Sequence, residues 1–176
     1  MTIRRMIIVS TFAALLVIAT YITIPMQPVS FTLQTMMVVL IGLLLKPVDA
    51  FLTILVYVLV GLTGVPVFSN FRGGYEVLFG ATGGFIMSFF ITAVGISILK
   101  SDNHYWVVDI PIMVFFGFIV TYLMGIPIFM NVTGNDLGSS MTFFAPYYLW
   151  DFLKLGLAFT IYLMLPHEIM ERIYRQ

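Results

Sequence analysis

The chain has 176 residues, of which 61% are hydrophobic and 9% are charged, and its formal net charge is zero. Soluble domains carry about 25% charged residues, so this composition excludes a soluble globular protein. The basic residues do not cluster, so nothing in the sequence supports nucleic-acid binding. The lack of cysteine excludes disulfides and thiolate metal sites. His104 and His167 lie far apart in the sequence, and no metal site is predicted.

Apolar runs of about 20 residues recur along the chain, and a helix of that length crosses a hydrocarbon core of ~30 Å. The sequence therefore predicts an all-α, polytopic membrane protein with six transmembrane helices. They cover residues 4–24, 31–45, 48–62, 82–99, 107–126 and 146–165. No Ser/Pro-rich or charged linker divides them, so residues 1–176 are expected to form a single membrane-embedded domain.

The first predicted helix follows two arginines, a start that also fits a signal peptide. No small-x-small cleavage site leads into a soluble domain, so we expect a retained helix. Ser10 and Ala14 are small residues at a spacing that permits close helix approach. The sequence leaves two roles open for this pair, packing inside the chain or docking against another membrane protein.

The segment "IPMQPVSFTLQT" (24–35) joins the first two predicted helices. Its two prolines favour an extended backbone before the second helix. Gln34 could then hydrogen-bond a ligand in a buried cavity. Helix capping or a bond between helices is an equally open role for this amide.

The connection after the third predicted helix contains "FSNFRGG" (68–74). Glycine permits positive φ and close approach of the backbone to a ligand. Arg72 beside Gly73 and Gly74 could therefore present a guanidinium and backbone amides to one anion. The alternative is a solvated cation on a tight turn, with Glu76 as its partner. No dinucleotide fingerprint or P-loop occurs, so the chain is not expected to hydrolyse ATP in that way.

Two predicted loops, 64–84 and 127–145, are long and rich in glycine, polar and aromatic residues. Long loops in compact proteins are usually functional or disordered. The mixture of aromatic residues and glycine predicts ordered packing for the first loop. The second loop is expected to be mobile.

Six of the eight lysine and arginine residues are expected on one side of the membrane. They are Arg4, Arg5, Lys46, Lys100, Arg172 and Arg175. Positive charge is retained on the cytoplasmic side of short loops, so both termini are predicted to be cytoplasmic. The two exceptions, Arg72 and Lys154, are both predicted toward the outer face.

The last predicted helix contains "YYLWDFLKLGLAF" (147–159), in which Asp151 and Lys154 are three residues apart and share a helix face. With Pro146 in the first turn, Lys154 is expected about 12 Å into the helix. An ion at membrane depth costs roughly 2.5–3.5 kcal/mol and normally faces a bundle interior or a polar cavity. Two roles are open: a neutralised pair that locks helices together, or a pocket for a ligand with a carboxylate and N–H donors.

Together these stretches resemble the BioY family, the biotin-specific S-components of energy-coupling-factor (ECF) transporters. The resemblance covers nearly the whole chain. It rests on "IPMQPVSFTLQT", "GLLLKPVDAFLTILVYVLVGLTGVPVFSNFRGG", "GATGG" and the Asp151–Lys154 pair. It implies biotin capture at the outer face of the cell membrane, with a transmembrane T-component and two ABC ATPases as partners. It implies neither enzymatic activity nor a cofactor.

The resemblance also implies roles for individual residues. It implies that Asp151, Lys154 and the loop with Gly73 and Gly74 line the biotin site. We expect Arg72, Gln34 and Asn70 to bind the substrate with them. It assigns contact with the coupling subunit to Ser10 and Ala14. A basic residue that some members carry after the second glycine pair is absent here, where Phe85 and Ile86 stand. We therefore expect Arg72 to hold the anionic tail of the ligand together with Lys154.

Other functions are compatible with parts of this pattern. An S-component for a different small vitamin would share the architecture, and transport without partners is a further possibility. An intramembrane enzyme could use Asp151 as a base, but the outer face lacks a His, Cys or GxSG serine partner. A purely structural membrane protein would leave the two outer cations unexplained.

Overall fold

The structure is a computed structural model that describes residues 2–101 and 105–165. Its helices are α1 (Ile3–Tyr21), α2 (Gln34–Leu44), α3 (Pro47–Leu62), α4 (Tyr75–Leu78), α5 (Gly83–Leu99), α6 (Trp106–Val114), α7 (Thr121–Thr133) and α8 (Leu137–Met164). Two short antiparallel strands, β1 (Thr23–Ile24) and β2 (Phe31–Thr32), lie between α1 and α2. The predictions for His104, His167, Arg172 and Arg175 lie outside the described residues.

Helix α2 forms the centre of the bundle. Ten of its 11 residues are buried, as expected for a helix that is hydrophobic on all sides. It packs against α1, α3, α5 and α8. Four helices therefore surround one apolar helix, and the main hydrophobic core lies along its length.

The outer surface of the bundle is apolar. Exposed side chains include Leu123, Ile98 and Ile7, which are 71%, 62% and 60% accessible. Helix α1 and the continuous segment Trp106–Thr133 are each long and apolar enough to cross a membrane. A contiguous apolar surface of this kind is covered by lipid in a membrane protein.

The first four predicted transmembrane helices correspond to α1, α2, α3 and α5. The predicted end of the first helix and start of the second are wrong, because Thr23–Ile24 and Phe31–Thr32 pair as strands. Helix α3 begins at Pro47, where the missing N–H of proline leaves no bond unmade. Helix α5 begins at Gly83 and ends at Leu99, close to its predicted bounds. The all-α class is confirmed for the part of the chain that the structure describes.

The predicted long loop over 127–145 is wrong. Helix α7 continues through Pro127 to Thr133, and α8 begins at Leu137. Gly134, with φ of 73°, ends α7, and the Asp136 carboxylate caps α8 by accepting from the N–H groups of Gly138 and Ser139. The connection is therefore short and ordered by its two caps.

The predicted start of the last helix at Pro146 is also wrong. Pro146 lies inside α8 rather than in its first turn. Lys154 is consequently about 26 Å from the first residue of α8, rather than about 12 Å. Its place in the bundle must be judged from its contacts, not from the position of the proline.

The predicted ordered packing of the loop 64–84 is confirmed. Phe68 is fully buried, and its ring fills the space left by the missing side chain of Gly61 on α3. The Gly74 N–H donates to the Gly61 carbonyl at 2.7 Å. A short 3₁₀ turn, Ser69–Phe71, and helix α4 complete the segment.

An ion pair joins α1 to α3 near the N-terminus. Arg5 Nε and Nη2 both donate to Asp49 Oδ1, at 2.9 and 2.6 Å. Asp49 is 1% exposed, so its charge depends on this partner for compensation. At the same end of the bundle, the Lys100 ammonium donates to the carbonyl of Leu43 at the end of α2.

Candidate substrate-binding pocket

A pocket lies where the β1–β2 hairpin meets the ends of several helices. Its polar walls come from Ser30, Thr32, Gln34, Thr35, Ser69, Thr82, Thr121, Tyr122, Tyr147, Asp151 and Lys154. Its apolar walls come from Val29, Phe31, Phe85, Ile86, Phe89 and Phe144. The cavity between these side chains has a volume of about 60 Å³ and is open on one side. Mixed aromatic walls with a few convergent polar groups are typical of small-molecule sites.

The Asp151–Lys154 pair forms one wall of this pocket. Lys154 Nζ lies 2.5 Å from Asp151 Oδ1, and both residues are buried. The prediction that these side chains share one face and point into the bundle is confirmed. The Asp151 Oδ2 atom accepts a hydrogen bond from the Tyr122 hydroxyl on α7.

The Lys154 ammonium also reaches the hairpin. It donates to the Thr32 carbonyl at 2.9 Å and lies 4.2 Å from the centre of the Phe31 ring. An ammonium has three donors, and these contacts place an acid, a carbonyl and an aromatic face around it. The pair therefore links α8 to β2 and also lines the pocket. Binding of a ligand by this pair stays a prediction.

Gln34 lines the pocket at the first turn of α2. Its Nε2 atom donates to the Tyr57 hydroxyl on α3 at 2.7 Å. That hydroxyl donates in turn to the Val67 carbonyl and lies 3.3 Å from Thr20 Oγ1. A bond between helices is thus present, and it holds the amide in place at the pocket wall.

Asn70 stands just behind the pocket rim. Its Nδ2 atom donates to Ser30 Oγ at 2.6 Å, while Ser30 and Ser69 line the pocket itself. Asn70 adopts φ of 60°, a left-handed conformation that asparagine tolerates better than most residues. Its amide therefore connects the 3₁₀ turn to the segment that precedes β2.

The structure does not bring Arg72, Gly73 or Gly74 into the pocket wall. Arg72 is exposed, and its backbone pairs with that of Phe68. A side chain at Gly73 would collide with the Gly64 and Val65 carbonyls, and Gly74 has φ of 93°. These glycines are required by the local turn. Among residues 2–101 and 105–165, Arg72 forms no ion pair with Glu76.

Ser10 and Ala14 are both exposed on α1. The buried face of this helix is formed instead by Val9, Ala13 and Leu16. Packing of the small pair inside the chain is therefore not observed. The two residues lie on a face that is open to lipid or to another protein.

Tyr122 was not identified from the sequence, although it is the partner of Asp151. The available signal was a tyrosine inside an apolar span, because a buried phenolic hydroxyl usually finds a hydrogen-bond partner. Tyr147, one turn before Asp151, donates to the Val29 carbonyl at 2.6 Å. The two tyrosines thus tie α7 and α8 to different parts of the pocket.

The apolar helices and the pocket indicate a polytopic membrane protein with an internal cavity. The sequence model of the BioY family matches residues 1–170. The chain belongs to the BioY family, as the sequence resemblance predicted.

Two known proteins are similar over nearly the full length. The biotin transporter BioY of Thermotoga maritima is 34% identical over 172 residues, covering 96% of this chain and 99% of the relative. The crystal structure of the S-component for biotin from an ECF-type ABC transporter matches with a TM-score of 0.78 at 22% identity. That match covers 100% of this chain and 95% of the other, and it shows the fold.

Proposed function

We propose that this protein captures biotin and takes it up across the cell membrane as the substrate-binding S-component of an ECF-type ABC transporter. Membership of the BioY family and the near full-length similarity to a biotin transporter support this function. The observation that carries it is the buried Asp151–Lys154 pair in the wall of an aromatic pocket. Membership of a transporter family also agrees with the expectation that the chain is not an enzyme.

The chemistry of biotin matches the composition of this pocket. Its ureido ring donates and accepts hydrogen bonds, for which Asp151, Gln34 and the hydroxyl groups of the wall are suited. Its thiophane body is apolar, and the rings of Phe85 and Phe144 provide an apolar surface. Its carboxylate tail requires a cation, and Lys154 is the cation in the described wall.

Each candidate residue has a role in this proposal. Lys154 binds the carboxylate of biotin, and Asp151 orients Lys154 and receives an N–H of the ligand. Gln34 bonds the ligand from α2, while Asn70 fixes the rim through Ser30. Arg72, which extends from the loop with Gly73 and Gly74, reaches over the mouth to hold the ligand tail. Its exposed guanidinium, without an ion pair to Glu76 in the described structure, supports this assignment.

The orientation in the membrane follows from charge. Arg4, Arg5, Lys46 and Lys100 suit the cytoplasmic face, which supports both termini inside and the pocket toward the outside of the plasma membrane. Residues 1–176 act as one substrate-binding domain that crosses the membrane six times. No P-loop is present in the sequence, so energy for release comes from two ABC ATPases through a T-component.

The exposed small pair on α1 is the proposed contact with that T-component. Ser10 and Ala14 allow a partner helix to approach the α1 backbone closely. No role for nucleic acid is proposed.

Direct binding to the purified full-length protein tests the proposed function. We expect biotin to bind with high affinity in calorimetry and not to be displaced by thiamine or riboflavin. Tighter binding of another vitamin would assign the protein to a different substrate. Binding of none of these ligands by folded protein would contradict the S-component function.

A further inference from the structure

The Tyr122 hydroxyl donates a hydrogen bond to the Asp151 carboxylate in the pocket wall. We infer that Tyr122 is a positioning residue for substrate recognition, whose hydroxyl fixes the Asp151 carboxylate so that it receives an N–H donor of the ligand. This inference rests on the proposed function, because it assumes a ligand with a ureido group in the pocket.

The two oxygens of Asp151 are held by donors from different helices. Oδ1 lies 2.5 Å from Lys154 Nζ on α8, and Oδ2 accepts from the Tyr122 hydroxyl on α7. Two donors on opposite oxygens leave the carboxylate little freedom to rotate. An ionised carboxylate has about four acceptor positions, so acceptor capacity remains for a ligand N–H group.

The Tyr122 side chain has little freedom of its own. Its ring is 8% exposed and packs against Phe85, Phe118, Phe144 and Tyr148, with ring centres 5.8, 4.9, 5.7 and 4.9 Å away. A hydroxyl on such a constrained ring stays in one place. Binding groups are most effective when neighbouring side chains hold them in their productive geometry.

A local change of helix type orients Tyr122 toward the pocket. The segment Phe115–Val120 is a π-helical turn between α6 and α7. The Phe116 carbonyl accepts from Thr92 Oγ1 at 2.9 Å and from Thr121 Oγ1 at 3.2 Å. A wide turn inserts one extra residue, which rotates the following helix by about 100°. Thr121 and Tyr122, the first residues of α7, both line the pocket as a result.

The test uses Tyr122→Phe, which keeps the ring and removes the hydroxyl. Two ligands are compared: biotin, and an isosteric carbonate analogue in which oxygen replaces both ureido N–H groups. We expect Tyr122→Phe to weaken biotin binding about tenfold, the typical effect of one lost hydrogen bond. Binding of the analogue should change less than about twofold, because it has no N–H to offer Asp151.

Tyr148→Phe is the matched control. Tyr148 contacts the Tyr122 ring, but its own hydroxyl bonds the Met141 carbonyl at 3.4 Å outside the pocket wall. This control should leave the ratio of the two affinities unchanged. Equal losses for both ligands in Tyr122→Phe, or no loss for biotin, would overturn the positioning role.

A second measurement covers the case in which Tyr122→Phe perturbs the fold. In an Asp151→Asn protein, adding Tyr122→Phe should change biotin affinity by less than about twofold, because both changes act on one contact. Additive losses would overturn the inference. Failure of the wild-type protein to bind biotin would instead contradict the proposed function itself.

Discussion

The Lys154 ammonium donates to the Thr32 carbonyl at 2.9 Å, which connects α8 directly to strand β2. This bond joins the ion pair of the last helix to the hairpin that follows α1. The cation that is proposed to bind the ligand therefore also holds the pocket wall together. Mutations at Lys154 are therefore expected to change both ligand affinity and the stability of the fold.

Lys154→Ala should weaken biotin binding by roughly 1.5–3 kcal/mol, the usual value for a hydrogen bond to a charged group. The reason is the loss of the pocket cation that faces the ligand carboxylate. Calorimetry measures the affinity, and a thermal unfolding scan of the same sample reports the stability. Wild-type affinity in Lys154→Gln would refute the assignment. If Lys154→Ala mainly unfolds the protein and the folded fraction still binds biotin normally, Lys154 has only a structural role.

Arg72→Ala should weaken biotin binding much more than binding of biotin amide, because the amide lacks the charge that a guanidinium would hold. Arg72→Lys should not restore full affinity, since lysine cannot grip a carboxylate bidentately. Glu76→Gln is the control, because it removes the neighbouring charge without touching Arg72. Equal effects on the two ligands, or none, would make Lys154 the sole anion partner.

Ala14→Trp should prevent co-purification with a T-component while leaving biotin affinity unchanged. A bulky ring at this exposed position blocks close approach of a partner helix. Ile98→Trp, on the exposed side of α5, is the matched control and should assemble normally. Unchanged co-purification of Ala14→Trp would show that the complex forms through another surface.

Arg5→Ala should lower the stability of the protein by about 3 kcal/mol, the lower end of the cost of breaking a buried ion pair, because it leaves the buried Asp49 carboxylate without its cation. The pair is partly open to solvent on the arginine side, which limits the loss. The midpoint of thermal unfolding in detergent measures the effect. The double variant Arg5→Ala/Asp49→Asn should recover part of the loss, and a double variant less stable than Arg5→Ala would contradict this explanation.

The bounds of α3 and α5 could be predicted because residues at the helix ends mark them. Pro47 marks the start of α3, and Lys100 follows the end of α5. The region from α7 to α8 could not be predicted from its prolines, because Pro127 and Pro146 both lie inside helices. The better signals were Gly134 and Asp136, which supply the helix caps.

In the site, too, residues close in sequence could be predicted, whereas contacts between distant helices could not. Asp151 and Lys154 were identified because charges three residues apart in an apolar helix share a face and require a polar environment. The hydrogen bond between Tyr122 and Asp151 depends on how α7 packs beside α8. It also depends on a π-helical turn that no local sequence pattern predicts. Arg72 was expected to reach over the pocket mouth, a prediction that its exposed side chain leaves untested. The turn through Gly73 and Gly74 bonds to α3 through the Gly61 carbonyl.

The burial of α2 has a consequence for the way the protein responds to its bilayer. This helix has 11 residues and is about 16 Å long, roughly half the thickness of the hydrocarbon core. Helices that contact lipid tilt or deform the bilayer when their length does not match its thickness. Because α2 is surrounded by protein, its length does not have to match the thickness of the bilayer. The depth of Gln34 at its first turn is therefore set by the packing of neighbouring helices, and a thicker or thinner membrane changes the tilt of the outer helices instead.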